Sequence, residues 1–262
     1  MLLTALFFAV QAIVAVASVL SLGSSAAHPA IVPWLSALGV SAGAVAVWFA
    51  GRKYRALLEP SPLRSRAMFL IPTVLLVLGV SLFHPLFFAI FKESGARYRE
   101  DLQTRALAPF WTALMTTVLV PAVFEELAFR HVIQTGLARA YGARRALLLT
   151  SVLFGVGHIE PIQIIAGFTA GLAFGYVRHV SRSLLPAIVG HGFLNLLAVI
   201  GARRDTPQAL AARELSPGPL AGLGLVLVVL AVIMCRALVR RWPPPVPLGE
   251  MPPQPQDAGG PG

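Results

Sequence analysis

Two adjacent acids lie in an apolar part of this chain. The stretch FEELAFRH follows the run WTALMTTVLVPAV and contains Glu125, Glu126 and Arg130. Glu126 and Arg130 are four residues apart, so on a helix they share one face, and the spacing predicts an ion pair. Glu125 then points about 100° away and is expected to face a cavity. Acids inside a membrane persist only beside a partner or a cavity, so these residues are candidates for a functional site.

Two imidazoles and an amide complete the candidate set. His158 ends the stretch FGVGH, and His191 and Asn195 are four residues apart in HGFLN. Counted along their predicted helices, they lie about 10 to 20 Å from one membrane face, at depths that overlap with that of Glu125. A single buried histidine more often serves packing, and a Glu–Arg pair can be a structural clasp. The convergence of all these side chains from three helices favours a functional site.

The set suits hydrolysis by an activated water molecule. Glu125 could act as the general base, and His158 could hold the same water and carry its proton. His191 and Asn195 could donate hydrogen bonds to the oxyanion of a tetrahedral intermediate. A zinc site is the alternative, because zinc accepts two histidines and one carboxylate with water as the fourth ligand. The helical motif H-E-x-x-H is absent, and the sequence leaves the metal-free and the divalent-metal mechanisms open.

The composition predicts that membrane helices hold these residues. Of the 262 residues, 56% are hydrophobic and 12% are charged, whereas a soluble domain has about a quarter of its residues charged. The net charge of +10 comes from basic residues clustered between apolar runs, which argues against a nucleic-acid partner. The single cysteine, Cys235, excludes an internal disulfide framework and a multi-cysteine metal cage, and we assign it to helix packing.

The predicted fold class is all-α, a polytopic membrane helix bundle of about eight transmembrane helices. The apolar runs and their breakers give the spans 2–22, 31–50, 67–91, 108–138, 145–158, 162–178, 184–200 and 218–238. The membrane domain covers residues 1–242, with its catalytic core at about 108–200, and the Pro- and Gly-rich tail 243–262 is predicted to be disordered. No Lys or Arg precedes the first run, so we interpret it as a membrane helix and not a signal peptide.

Three further features receive structural interpretations. The glycines Gly167, Gly171 and Gly175 form a four-residue ladder that is typical of a tight helix-packing face. Glu160, in the turn HIEPIQ, is predicted to be solvated, although it follows His158 closely. His84 precedes a proline in the third span and is given no functional role.

Loop charge predicts the orientation of the bundle. With a cytoplasmic N-terminus, the inner segments carry most of the basic residues: Arg52, Lys53, Arg55, Arg64, Arg66, Arg139, Arg144, Arg145, Arg178, Arg182, Arg236, Arg240 and Arg241. The outer loops carry fewer, and acids are interleaved with them: Lys92, Arg97, Arg99, Arg105, Arg203, Arg204 and Arg213. The positive-inside rule then places both termini in the cytoplasm.

The three motifs together resemble a known family. EELAFR is similar to the E-E-x-x-x-R motif of the CAAX prenyl endopeptidase and bacteriocin-processing (Abi) family of intramembrane proteases, FGVGH to its F-x-x-x-H motif, and HGFLN to its H-x-x-x-N motif. The resemblance implies a helical membrane fold, commonly with eight spans, and a site open toward the cytoplasm. It also implies that Glu125 activates water with His158, that His191 and Asn195 stabilise the oxyanion, and that Glu126 and Arg130 support the first motif.

The resemblance leaves the substrate open. Members of the family include endopeptidases that remove the last three residues of a prenylated CAAX protein, and others process peptides or act in bacteriocin immunity. The Ala-, Leu- and Arg-rich composition is typical of a bacterial inner-membrane protein, so the expected partners are membrane lipid and a peptide or lipidated protein substrate. Two rival hypotheses are a catalytically silent scaffold or immunity protein, and a proton-coupled transporter that uses the buried Glu and His residues as a relay.

Overall fold

All regular structure in the described part of the chain is helical, so the all-α prediction is confirmed. The computed structural model describes residues 2–23, 31–51, 67–158, 160–204 and 217–241. Its helices are α1 (Leu2–Leu22), α2 (Val32–Ala50), α3 (Leu70–Ser81), α4 (His84–Ile90), α5 (Lys92–Leu107), α6 (Phe110–Tyr141), α7 (Ala143–Val156), α8 (Pro161–Ser181), α9 (Leu185–Arg204) and α10 (Pro217–Arg241). The predicted disordered tail, 243–262, lies outside the described residues.

Six spans in the described residues are long and apolar enough to cross a membrane, where the sequence predicts about eight. They are α1, α2, the α3–α4 pair (Leu70–Ile90), α6, α9 and α10. The other two predicted spans form α7 and α8. Helix α7 has 14 residues, or about 21 Å, which is shorter than the hydrocarbon core of about 30 Å. Helix α8 is long enough, but Gln163, Arg178 and its glycines lower its hydropathy.

The N-terminal helix is part of the core. Phe7 of α1 is buried, and its ring centroid lies 5.2 Å from that of Phe129 in α6. The rest of α1 presents large apolar side chains outward, and Leu20 is 81% exposed, as expected for a helix that faces lipid. This packing supports the interpretation of α1 as a membrane helix.

The glycine ladder of α8 packs against α7, as its spacing predicts. A Cβ atom on Gly171 would lie 3.0 Å from the Cα of Ser151, and one on Gly167 would lie 3.2 Å from the Cα of Gly155. The two helices are in backbone contact here, so this face has no room for a ligand. The close approach holds the end of α7, and with it His158, against α8.

The C-terminal helix α10 packs on α3 through a second close contact. A Cβ atom on Gly79 would lie 2.8 Å from the carbonyl oxygen of Gly224. Cys235 is fully buried with a free thiol, which agrees with its predicted role in helix packing.

Residues 92–107, which the loop-charge argument assigns to an outer loop, form helix α5. Its sequence, KESGARYREDLQTRAL, is too charged to suggest a membrane helix, yet it forms four turns against the bundle. Ser94 and Ala106 are buried at its two ends. The helix therefore belongs to the wall of the structure and not to a solvated connection.

Candidate active site

The two acids lie where helix α6 changes its winding. Residues Val120–Glu126 are α-helical, and Leu127–Ile133 form a π-helical segment. A first π-helical segment, Leu114–Leu119, ends just before Pro121, which has no amide proton to donate to the preceding turn. Such segments are rare and occur frequently at functional sites.

Glu126 and Arg130 form the ion pair that their spacing predicts. Their side chains are fully buried, and Arg130 Nη1 lies 3.2 Å from Glu126 Oε1. The Arg130 guanidinium carbon also lies 4.3 Å from the centre of the Phe154 ring, which adds a cation–π contact. Each charge offsets the desolvation of the other, so the pair is stable only while both members are present.

His191 lies between the two acids. Its Nδ1 is 3.0 Å from Glu126 Oε1, and its Nε2 is 3.9 Å from Glu125 Oε2. The Glu126 carboxylate, paired with Arg130, can only accept a hydrogen bond, so Nδ1 of His191 carries a proton. Phe174 stacks on the imidazole at 5.1 Å between ring centroids. The ring is thus fixed in both tilt and tautomer, with Nε2 directed toward Glu125.

His158 is oriented by its own helix. Its Nδ1 lies 2.8 Å from the carbonyl oxygen of Phe154, so Nδ1 donates and Nε2 keeps its lone pair. The Phe154 and His158 rings meet edge-on at 5.1 Å, as their spacing predicts. A Cβ atom on Gly167 would lie 3.2 Å from His158 Nδ1. The absence of a side chain at Gly167 therefore leaves room for this imidazole.

A cavity of about 600 Å³ connects these residues to the surface. His158, His191 and Asn195 all contribute to its lining, so three of the six predicted site residues meet there. Much of the remaining lining is apolar and comes from α4, α8 and α9. An apolar cavity with a few polar groups at one end is typical of a site for a small or extended ligand.

Glu125 lies beside a residue that lines this cavity and is not itself part of the lining. Its side chain is 15% exposed, and the contact that ties it to the site is the 3.9 Å approach to His191. His191 therefore links Glu125 to the cavity. A separation of 3.9 Å exceeds a hydrogen bond.

Polar residues that the sequence does not identify as site residues also line the cavity. They are His84 on α4 and Tyr98, Arg99 and Gln103 on α5. The α5 residues share one helical face with Leu102, which also lines the cavity. That spacing is visible in the sequence, but it carries information only once residues 92–107 are known to be helical.

Glu160 joins α5 to the start of α8, and its side chain is 33% exposed, in agreement with the prediction that it is solvated. Its Oε1 accepts a hydrogen bond from Arg97 Nε at 3.1 Å, and its Oε2 accepts one from Ser94 Oγ at 2.9 Å. Ser94 Oγ also accepts a hydrogen bond from the backbone N–H of Ile162 at 3.1 Å. The hydrogen bonds from Arg97 and Ser94 hold the pKa of Glu160 below its ordinary value.

The donors do not fit the zinc alternative. Among the described residues, which include all six predicted site residues, no group of three or more His, Cys, Asp or Glu side chains is arranged to hold a metal ion. A catalytic zinc site needs three protein ligands with an open fourth position. We therefore derive no catalytic step through a metal.

Comparison with known proteins supports one family. Residues 107–197 match the family model described as Rce1-like, type II CAAX prenyl endopeptidase. This segment contains all three motifs, from Glu125 to Asn195. No curated protein and no solved structure matches the chain significantly.

Proposed function

Since the resemblance to the CAAX prenyl endopeptidase and bacteriocin-processing family is confirmed over residues 107–197, we propose that this chain is an intramembrane endopeptidase. Its substrate is a peptide or a lipidated protein that enters the cavity from the membrane or from its surface. The observation that carries the proposal is the position of His191, which contacts both acids and also lines a cavity shared with His158 and Asn195.

The first step is the activation of water. A water molecule beside Glu125 and the Nε2 atoms of the two histidines gives up a proton to Glu125 while its oxygen attacks the peptide carbonyl carbon. His158 accepts a hydrogen bond from this water through Nε2, because its Nδ1 is occupied by a backbone carbonyl. The C–O bond that forms converts the carbonyl oxygen into an oxyanion.

The second step is the stabilisation of that oxyanion. The Asn195 amide donates one hydrogen bond to it. His191 can donate the second only as an imidazolium, because Nδ1 already donates to Glu126 and the neutral ring keeps a lone pair on Nε2. The intermediate then collapses, the C–N bond breaks, and the proton held by Glu125 passes to the leaving amine. One peptide bond and one water are consumed, and a carboxylic acid and an amine are released.

Loop charge and the resemblance predict different sides of the membrane for the opening of the cavity. Helix α5, the start of α8 and the end of α9 all lie at one end of the bundle, and they line the cavity. The loop-charge rule assigns this end to the outside, whereas the resemblance implies a cytoplasmic opening. We propose the outward opening, with both termini in the cytoplasm of a bacterial inner membrane, because the basic residues of this chain are direct evidence for its own orientation.

The test compares the purified protein with Glu125→Gln on a peptide library, with and without a chelator. The variant keeps the shape of the side chain and removes the base, so cleavage should fall by about 10² to 10⁴-fold while the protein stays folded in detergent. Activity of the unmodified protein should survive the chelator. Cleavage by Glu125→Gln at the original rate would refute the assignment of Glu125 as the general base. A cellular phenotype that the variant retains would support the scaffold hypothesis.

A further inference from the structure

Helix α5 forms one wall of the cavity. Near its N-terminus, Ser94 accepts a hydrogen bond from Ile162 at the start of α8. Near its C-terminus, Ala106 packs in one cluster with Val199 of α9. Twelve residues separate Ser94 from Ala106, or about 18 Å along the helix axis. The middle of α5 therefore spans the gap between α8 and α9.

Arg99 lies near the middle of this bridge and lines the cavity. Its guanidinium carbon is 4.6 Å from the centre of the Phe88 ring, which is also part of the lining. A guanidinium that stacks on an aromatic ring keeps its N–H donors in the plane of the group, where they remain available to a ligand. Phe88 thus orients Arg99 without using its hydrogen-bonding capacity.

The charge of the cavity lining is unbalanced. Arg99 is the one Lys or Arg among the described lining residues, and that lining contains no Asp or Glu. The other arginines of α5 are engaged elsewhere: Arg97 pairs with Glu160, and Arg105 pairs with Asp101 at 2.9 Å. In the described part of the chain, Arg99 has no carboxylate partner. A permanent cation in an apolar cavity favours a ligand that brings a negative group.

Arg99 and Asn195 line the same cavity, and the length of that cavity along α9 suits an extended peptide. Asn195 and Ala202 both line the cavity along α9, and a step of seven positions corresponds to about 10 Å along the helix. Helix α5 ends beside the C-terminal end of α9, where Arg203 Nη2 donates a hydrogen bond to the carbonyl oxygen of Ala108 at 2.7 Å. A few extended residues, at about 3.3 to 3.6 Å each, cover this distance.

We propose that Arg99 is the specificity residue that binds a carboxylate of the substrate a few residues from the scissile peptide bond. This inference rests on the proposed endopeptidase function. The carboxylate has two possible sources, the C-terminus of the peptide or an acidic side chain. Both would form a charge-assisted, bidentate hydrogen bond with the guanidinium.

Binding can be measured separately from cleavage. The probe is an N-terminally fluorescein-labelled peptide of Ala, Val and Leu, made as the C-terminal acid, as the C-terminal amide, and as amides with Asp or Asn as the last residue. In the Glu125→Gln background, where turnover is blocked, fluorescence anisotropy should give a Kd at least about tenfold lower for a carboxylate-bearing peptide than for its neutral partner. A preference for the acid over the amide identifies the C-terminus, and a preference for Asp over Asn identifies a side chain.

Substitution of Arg99 decides the assignment. Adding Arg99→Gln to the Glu125→Gln background should abolish the discrimination, and adding Arg99→Lys should retain part of it. The matched control is Arg105→Gln on the same helix, which should retain the full discrimination. Equal affinity for acid and neutral peptides without the Arg99 substitution, or discrimination that persists with Arg99→Gln, overturns the proposal. Failure of the proposed function would appear separately, as absent cleavage by the unmodified protein.

Discussion

Nδ1 of His191 lies 3.0 Å from Oε1 of Glu126, and that oxygen also lies 3.2 Å from Nη1 of Arg130. The second acid of the motif is therefore a structural centre that holds an arginine and an imidazole in place. Glu125 has no such partner, since its contact with His191 is 3.9 Å long. The two adjacent acids have different environments, and their substitution should have different consequences.

We expect Glu126→Gln to destabilise the protein and Glu125→Gln to leave its stability nearly unchanged. Removing Glu126 leaves the buried charge of Arg130 uncompensated, which costs about 3 to 5 kcal/mol. The stability of both variants is measured by thermal unfolding in detergent. The double variant Glu126→Gln/Arg130→Met removes both charges and should recover part of the loss. Equal thermal unfolding midpoints for Glu126→Gln and Glu125→Gln would contradict the structural role of Glu126.

We expect Gly167→Ala to reduce peptide cleavage. The added Cβ would lie 3.2 Å from His158 Nδ1, so the imidazole has to move away from its position in the cavity. The shift required is a few tenths of an ångström, so the loss should stay below the roughly 10²-fold that a displacement of about 1 Å causes. The control is Gly222→Ala in α10, where a Cβ meets nothing within 4 Å among the described residues. Unchanged cleavage by Gly167→Ala would show that the position of His158 is not critical.

We expect acid to release α5 from α8. The hydrogen bonds from Arg97 and Ser94 lower the pKa of Glu160 from its ordinary value of 4.5. A carboxyl group with a lowered pKa stabilises the folded state fully above its ordinary pKa, and this contribution is lost as the pH falls through the lowered value. A spin label at Ala96→Cys, in a Cys235→Ala background, should become more mobile as the pH falls below 4.5.

The control for this release is Glu160→Gln, which has no titratable group at the position. Its spin label should show nearly the same mobility at neutral and acid pH. If the label responds to acid equally in both proteins, another group controls the motion of α5.

We expect a cysteine on α5 to be labelled from outside the cell. Cys235 is the single cysteine and is buried, so a Cys235→Ala background with Ala96→Cys carries one exposed thiol. A membrane-impermeant maleimide should label it in intact cells, because loop charge assigns α5 to the outer face. Tyr141→Cys, at the opposite end of α6, should be labelled only after lysis. The reverse pattern would establish a cytoplasmic cavity, as the family resemblance implies.

The helices and the buried ion pair could be predicted from local patterns. Apolar runs locate every helix that meets the criteria for a membrane span, and the four-residue spacing predicts the Glu126–Arg130 contact because helical geometry fixes which residues share a face. The glycine ladder predicts the α7–α8 contact for the same reason. These features depend on one helix or on two neighbouring ones, and their periodicity is present in the sequence.

The environment of Glu125 and the role of α5 could not be predicted in this way. The direction of Glu125 depends on where His191 lies, and the two residues are brought together by the packing of α6 and α9. Helix α5 is stabilised by contacts with residues more than sixty positions away, such as Ser94 with Glu160. Its own composition resembles a solvated loop, so tertiary contacts and not local pattern determine that it forms the wall of the cavity.

The anchoring of α5 at both ends limits the size of the substrate segment that can enter the cavity. A helix fixed at both ends beside a cavity of about 600 Å³ leaves room for an extended segment of a substrate and excludes a folded domain. A protein substrate would then be cleaved only at an unstructured terminus or in an unfolded loop. The state of the target, as much as its sequence, would decide when it is processed.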